Sequence, residues 1–214
     1  LAAINRHYKK SMDEFYRFLN GDIEIDDFEK YIYHDKDLEK TIDHDDYLEL
    51  ISFDFKEKHS NDRLKKFILQ SIIDQGQFET WRLKNALQKF IGEPESCDDN
   101  LKQLYDFYCG RLQDNGERIF EFKFLANLGL NMLYWIDEGY MKTVYKENWE
   151  KEYIKARKDN FYYHSQLKPF AVEILNAILN DKIKIQEDGS YKIDNELRIK
   201  LETDDIYKIE HREK

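Results

Sequence analysis

The chain repeats its apolar residues at intervals of three and four over most of its length. This spacing is sustained from Ser60 to Asn180, whereas apolar and polar residues alternate only near 47–56 and 183–201. Intervals of three to four place side chains on one face of an α-helix, and alternation is typical of a strand. Only 2 Pro and 8 Gly occur in 214 residues, too few for the many turns of an all-β fold. The pattern therefore predicts a mainly helical protein.

The predicted fold is a single domain over residues 1–214, with seven to nine helices and a small C-terminal antiparallel β meander. The prediction of one domain follows because no linker and no internal repeat is found, and residues 1–182 are expected to be mostly helical. The meander is expected over 183–203, where a turn at Asp188-Gly189 separates the first two strands. Leu197–Leu201 alternates again and is predicted as the third strand.

Three further local patterns lead to specific predictions. The run Tyr47–Lys56 alternates in its second half and is predicted as a short strand or extended segment. The run Glu117–Glu138 is apolar on nearly every side, which predicts a helix buried at the centre of the fold. Gly110 and Gly129 are placed within helices, where each costs about 1 kcal/mol relative to Ala, so we expect close helix packing there.

Negative charge is concentrated in one stretch of the chain. The formal net charge is −10, from 34 basic and 44 acidic residues. Between Asp22 and Asp62, 15 acidic residues accompany five lysines, so this stretch accounts for the whole excess. An acidic surface repels phosphate backbones and attracts cationic partners. We therefore expect a basic protein partner and no direct binding of nucleic acid. The alternative is a solvated surface that only maintains solubility.

The densest acidic cluster lies at a junction between predicted elements. Four acids fall within seven residues, and two tyrosines lie near them in the sequence. Aromatic residues are common anchors at the centre of protein interfaces. The alternative is that the acids only cap helices. We predict that the partner is bound by Asp43, Asp45, Asp46, Glu49, Tyr33 and Tyr47.

The cysteines and histidines argue against redox and metal chemistry. Cys97 and Cys109 are the only cysteines, and their spacing fits neither a disulfide framework nor a zinc site. The six histidines form no H-E-x-x-H pattern. We expect no metal and no cofactor, and two lone thiols are typical of a reducing cytoplasm. No run of 18 apolar residues occurs, so no membrane span is predicted.

The tripeptide that begins at Asp54 and ends at Lys56 is the one local pattern that would indicate an enzyme. Restriction-type metal-dependent nucleases carry a similar acid-x-Lys on a strand, and Asp43, Asp45 or Asp46 would supply the upstream carboxylate for magnesium. Those nucleases also need a central sheet of several strands, whereas the flanking residues here have helical spacing. The surrounding acids would also repel DNA. A metal-dependent nuclease-like enzyme therefore stays an alternative.

The chain resembles bacterial polymorphic-toxin immunity proteins, including the partners of contact-dependent-inhibition toxins. The resemblance lies in Tyr47–Lys58 (YLELISFDFKEK), in Phe124–Leu133 (FLANLGLNML) and in general character over most of the chain. It implies stoichiometric binding of a cognate toxin domain without catalysis, and an acidic surface would suit a cationic nuclease toxin. A second alternative to this function is an adaptor or regulatory component of a phage-defence system.

Overall fold

The computed structural model describes residues 12–135, 137–157 and 160–202, and most of these are helical. The described residues form more and shorter α-helices than the seven to nine that the sequence predicts. The α-helices are α1 (12–20), α2 (Ile25–His34), α3 (His44–Ile51), α4 (Ser60–Phe67), α5 (Gln75–Gly92), α6 (Cys97–Cys109), α7 (Ala126–Trp135), α8 (Glu138–Tyr145), α9 (Trp149–Arg157), α10 (Asn160–Leu179) and α11 (Asn195–Leu201).

Two small antiparallel hairpins also lie among the described residues. The first pairs β1 (Arg111–Leu112) with β2 (Arg118–Ile119). The second pairs β3 (Ile183–Ile185) with β4 (Tyr191–Ile193), as the sequence predicted. The mainly helical fold with a small C-terminal antiparallel sheet is therefore confirmed.

The chain divides into two compact units, Leu1–Phe78 and Glu79–Lys214. Each contains its own cluster of buried apolar side chains. That the two units form a single domain stays a prediction.

The first unit is built around phenylalanines from its two N-terminal helices. Phe18 of α1 stacks on Phe28 of α2 with ring centroids 4.2 Å apart, and Phe15 meets Phe28 edge-on at 5.3 Å. Leu50 of α3 and Leu64 of α4 are fully buried. Each of these large side chains stabilises the folded unit by about 1.5–3 kcal/mol when it leaves water. The burial of Phe28 and Leu50 therefore fixes which faces of α2 and α3 point toward solvent.

A short strand or extended segment is predicted at Tyr47–Lys56. The structure has a helix in the first half of this run and no strand in the second half. Residues up to Ile51 belong to α3, and a turn follows. Asp43 explains the helix, because its side chain accepts a hydrogen bond from the Asp45 amide and so caps the first turn. Phe55 is buried although it lies in a turn and not in a strand. Its carbonyl accepts a hydrogen bond from the Ser60 hydroxyl at 2.8 Å.

The second unit has one apolar core, which α5, α6, α7, α10 and the C-terminal hairpin share. Helix α7 lies very close to α6: a Cβ added at Gly129 would lie 3.0 Å from the Cβ of Tyr108 and 3.1 Å from the Cα of Tyr105. The prediction of close helix packing at Gly129 is confirmed.

The prediction of one long helix over Glu117–Glu138 is wrong. The segment begins with β2, and only its later part forms the buried helix α7. The break falls at Phe120, whose φ of 54° is left-handed and does not continue a helix. The prediction that Gly110 lies within a helix is also wrong, because Gly110 ends α6. Asn-Gly at 115–116 forms the turn of the β1–β2 hairpin, the structure that this dipeptide most often indicates.

The third predicted strand, Leu197–Leu201, is the helix α11. The Asp194 side chain caps it by accepting hydrogen bonds from the amides of Glu196 and Leu197. Leu197 and Leu201 lie four residues apart and pack on the core together, while Ile199 between them is 76% exposed. The C-terminal sheet therefore has two strands, and residue 203 of the predicted meander lies outside the described residues.

Candidate functional site

The predicted acidic cluster lies on α3 and its N-terminal cap, and we call it the acidic face. It consists of Asp43, Asp45, Asp46 and Glu49. Asp43 is the cap, and Asp45 and Asp46 occupy the first helical turn, where the helix dipole favours negative charge. The capping alternative therefore holds for Asp43.

The other three acids of this face are available to a partner. Asp45 and Glu49 are exposed, and Asp46 is half-buried. Within the described residues no Lys, Arg or His forms an ion pair with Asp45, Asp46 or Glu49. Partial burial, together with the charges of Asp43 and Asp45, raises the pKa of Asp46. The smaller part of this rise in the pKa, from Asp43 and Asp45, is repulsion between carboxylates, which a cationic partner would relieve.

The two predicted tyrosines lie at different places relative to these acids. Tyr33 of α2 is 57% exposed, and its hydroxyl donates a hydrogen bond to the Ile51 carbonyl at 3.2 Å, at the C-terminal end of α3. Its ring meets Phe55 edge-on with centroids 6.2 Å apart. Tyr47 is half-buried, and Leu48 beside it is 45% exposed. The structure therefore places Tyr33 at one end of α3 and most of the acids at the other.

The acid-x-Lys pattern has no strand to support it. Asp54 and Lys56 are exposed in the turn after α3, and the Asp54 carboxylate accepts a hydrogen bond from the Lys56 amide at 3.0 Å. This hydrogen bond closes a turn between Asp54 and Lys56, so a structural role accounts for the two residues and no catalytic role is needed. Among the residues that the structure describes, no group of three or more His, Cys, Asp or Glu side chains is arranged to hold a metal ion.

We expect the purified protein not to cleave DNA or RNA in the presence of magnesium or manganese. The physical reason is that Asp54 and Lys56 lie in an exposed turn, where a metal would keep its water ligands. A gel assay on both nucleic acids measures this, with Asp54→Ala as the matched variant. Cleavage by the wild type that Asp54→Ala abolishes would contradict the expectation.

A second candidate site lies in the second unit, and we call it the Glu79 pocket. The Glu79 side chain on α5 is only 1% exposed. Its carboxylate accepts hydrogen bonds from Arg82 at 3.0 and 3.1 Å and from Arg111 at 2.7 Å. A cavity of about 310 Å³ opens beside these three side chains, and Gln103, Asp106, Phe107, Cys109, Gly110 and Phe120 complete its lining.

Two phenylalanine rings hold the arginines of this pocket in place. The Arg82 guanidinium lies 5.1 Å from the centroid of Phe107, and that of Arg111 lies 4.7 Å from the centroid of Phe120. A cation over an aromatic face is attracted by about 0.5–2 kcal/mol. Phe120 is buried with a left-handed backbone, and such strained positions are concentrated at functional sites.

Sequence reasoning missed the Glu79 pocket. Glu79 and Arg82 are three residues apart on a helix, a spacing that indicates an ion pair. Arg111 is 32 residues from Glu79, so no local pattern connects them. The Asn-Gly at 115–116 was the usable signal for the β1–β2 hairpin, whose first strand begins with Arg111 two residues after the end of α6.

The two cysteines are free thiols. Burial, and to a lesser extent the charge of Asp98, raises the pKa of Cys97 to about 12. A thiol with so high a pKa is protonated near neutral pH and is a weak nucleophile. Cys97 therefore belongs to the core, as its complete burial also indicates.

Comparison with known proteins finds no match among family models, curated proteins or solved structures. Among the described residues, no helix has the length and apolar character needed to cross a membrane.

Proposed function

We propose that the protein is a non-catalytic binding protein that neutralises a cognate toxin domain by covering it. The observation that carries this proposal is the acidic face of α3, whose carboxylates form no ion pair among the described residues and lie on the same helix as the exposed Leu48. The proposed partner is a basic protein domain, and the proposed place of action is the cytoplasm, where free thiols stay reduced.

The surface around α3 has the composition of a protein interface. Leu48 and Tyr33 are large side chains that are 45% and 57% exposed. An apolar and aromatic centre loses water on binding and supplies most of the affinity, while charges around it select the partner. Asp45 and Glu49 are exposed on the same helix as Leu48 and provide such charges.

The acidic face would act mainly on the rate of association. Exposed charges of one sign steer an oppositely charged partner toward the surface and weaken with added salt. Asp26 and Asp27, in the first turn of α2, add further negative charge to the same unit. A cationic nuclease toxin would be attracted because its cleft is built to hold phosphate groups, whose charge the carboxylates imitate.

The first test is neutralisation in cells. The chain is co-expressed with the candidate toxin domain that the adjacent gene encodes, and growth is measured. We expect the chain to restore growth, and loss of protection is expected when Tyr33→Ala and Leu48→Ala remove the apolar centre. A toxic neighbouring domain that the wild-type chain fails to neutralise would contradict the proposal, and a bound but harmless partner would favour an adaptor.

The second test neutralises the acidic face in one variant, Asp43→Asn, Asp45→Asn, Asp46→Asn and Glu49→Gln. Association with the partner should slow by about tenfold at low salt and depend less on salt, because the steering field is lost. Asn caps a helix as well as Asp does, so α3 stays intact. Stopped-flow kinetics at low and physiological salt measures both effects.

A control variant makes the same charge change on exposed acids of the second unit. These acids are Asp114, Glu147, Glu150 and Glu187, changed to Asn or Gln. If the acidic face is the contact surface, this control keeps most of the wild-type rate. Equal association rates for the wild type and the α3 variant at both salt concentrations would place the interface elsewhere.

A further inference from the structure

The base of the Glu79 pocket is an ion cluster whose carboxylate is almost fully buried. Two guanidinium groups, from Arg82 and Arg111, contact one carboxylate. The fourth ionised side chain of the lining, Asp106, is exposed. An anionic group that enters the cavity therefore meets the Arg111 guanidinium, in a recess where water screens charge less than at the open surface.

Arg111 has hydrogen-bond donors to spare. A guanidinium has five N–H donors, and in the described part of the chain Arg111 gives one hydrogen bond, to Glu79. Its side chain is 46% exposed beside the cavity. Because Phe120 covers one face of the guanidinium, the free donors lie along its edge. Such an edge matches the two oxygens of a carboxylate or phosphate group.

Glu79 orients the Arg111 guanidinium before a ligand binds. Removing a carboxylate from water is costly, and a buried ion pair often adds little stability compared with apolar residues. What the pair does provide is orientation, because the buried carboxylate and the phenylalanine rings fix both guanidinium groups before a ligand arrives. A fixed guanidinium loses less conformational entropy on binding than a free surface arginine.

We propose that the Glu79 pocket binds a small molecule through an oxyanion, either a carboxylate or a phosphate group, held by Arg111. The cavity of about 310 Å³ has the size of the smaller ligand sites. Asp106 and Gln103, three residues apart on α6, face the same cavity and accept hydrogen bonds from hydroxyl or amino groups elsewhere on the ligand. This site lies within the second unit and does not depend on the toxin-binding proposal.

The test is a titration of the isotope-labelled full chain, followed by amide NMR signals. Sodium phosphate and sodium succinate are the two probes, and sodium chloride at equal ionic strength is the reference. We expect saturable shifts for amides near Glu79 and Arg111 with at least one probe. Tighter binding of phosphate or of succinate tells which oxyanion the pocket prefers.

Arg111→Met should weaken the binding by at least about tenfold, because it removes the donor edge. Arg63→Met is the matched control. Arg63 also pairs with a glutamate, Glu57, and lies over a phenylalanine ring, but it lies in the first unit. The control should bind as the wild type does. Arg111→Lys keeps the charge and loses the planar fork, so it should fold and bind about threefold more weakly or worse.

Two results would overturn the proposal. One is that neither probe shifts the pocket amides of the wild type beyond the chloride reference. The other is that both Arg111→Met and Arg111→Lys, or Arg111→Lys alone where the Met variant does not fold, bind within twofold of the wild type.

Discussion

The double variant Arg82→Met and Arg111→Met is expected to lose about 3–5 kcal/mol of the free energy of unfolding. Both arginines hydrogen-bond the Glu79 carboxylate, whose side chain is 1% exposed. Without them a charge is buried with no partner, and this costs far more than the pair contributed. Urea unfolding at pH 7, followed by circular dichroism, measures the loss.

A triple variant separates this cause from simple loss of packing. Adding Glu79→Met to the two arginine substitutions replaces the whole ion cluster with apolar side chains of similar volume. Such replacements are often neutral or stabilising, so most of the lost stability should return. A triple variant as unstable as the double variant would show that the arginines stabilise the fold by packing on Phe107 and Phe120 rather than by pairing with Glu79.

Gly110→Ala is expected to destabilise the protein by about 3 kcal/mol or more. Gly110 has φ 68° and ψ −176°, a conformation that is almost confined to glycine and costs other residues about 1–3 kcal/mol. An added Cβ would also lie 2.7 Å from the Ile119 carbonyl oxygen and 2.9 Å from the Cα of Glu121. Both are backbone atoms, so the hairpin would have to move, at a further cost of about 1–3 kcal/mol.

Gly116→Ala is the matched control for this prediction. Gly116 lies in the turn of the same hairpin with φ 85°, and no atom lies within 4 Å of an added Cβ. Only the left-handed backbone penalty applies there, about 1–2 kcal/mol. Melting temperatures of the two variants compare them directly. Equal losses would show that the close contact of Gly110 with Ile119 and Glu121 can relax.

The parts of the fold that the sequence predicted are those that local interactions specify. The helical spacing between Ser60 and Asn180 and the Asp188-Gly189 turn both act within a few residues, and both predictions are confirmed in outline. The two strand predictions failed where alternation was the only evidence. At Leu197–Leu201 and Tyr47–Lys56, a capping aspartate favours a helix, and Asp194 and Asp43 were visible in the sequence.

The two candidate sites also differ in whether the sequence alone could locate them. The acidic face could be located from the sequence, because four carboxylates within seven residues are strongly hydrated and stay at the surface. The exposure of Asp45 and Glu49 agrees with that reasoning. The Glu79 pocket could not be located, since it combines side chains from α5, α6 and the β1–β2 hairpin.

Periodicity, turn residues and charge act locally, so they specify the helical class, the C-terminal hairpin and the acidic character of the first unit. The burial of Glu79 between Arg82 and Arg111 instead depends on how distant elements pack. That pairing joins two residues 32 apart in the sequence, and Gly110, directly before Arg111, ends α6 with a backbone conformation that other residues avoid. Interactions over such separations depend on how whole elements pack, and packing is decided by the shapes of all the buried side chains together.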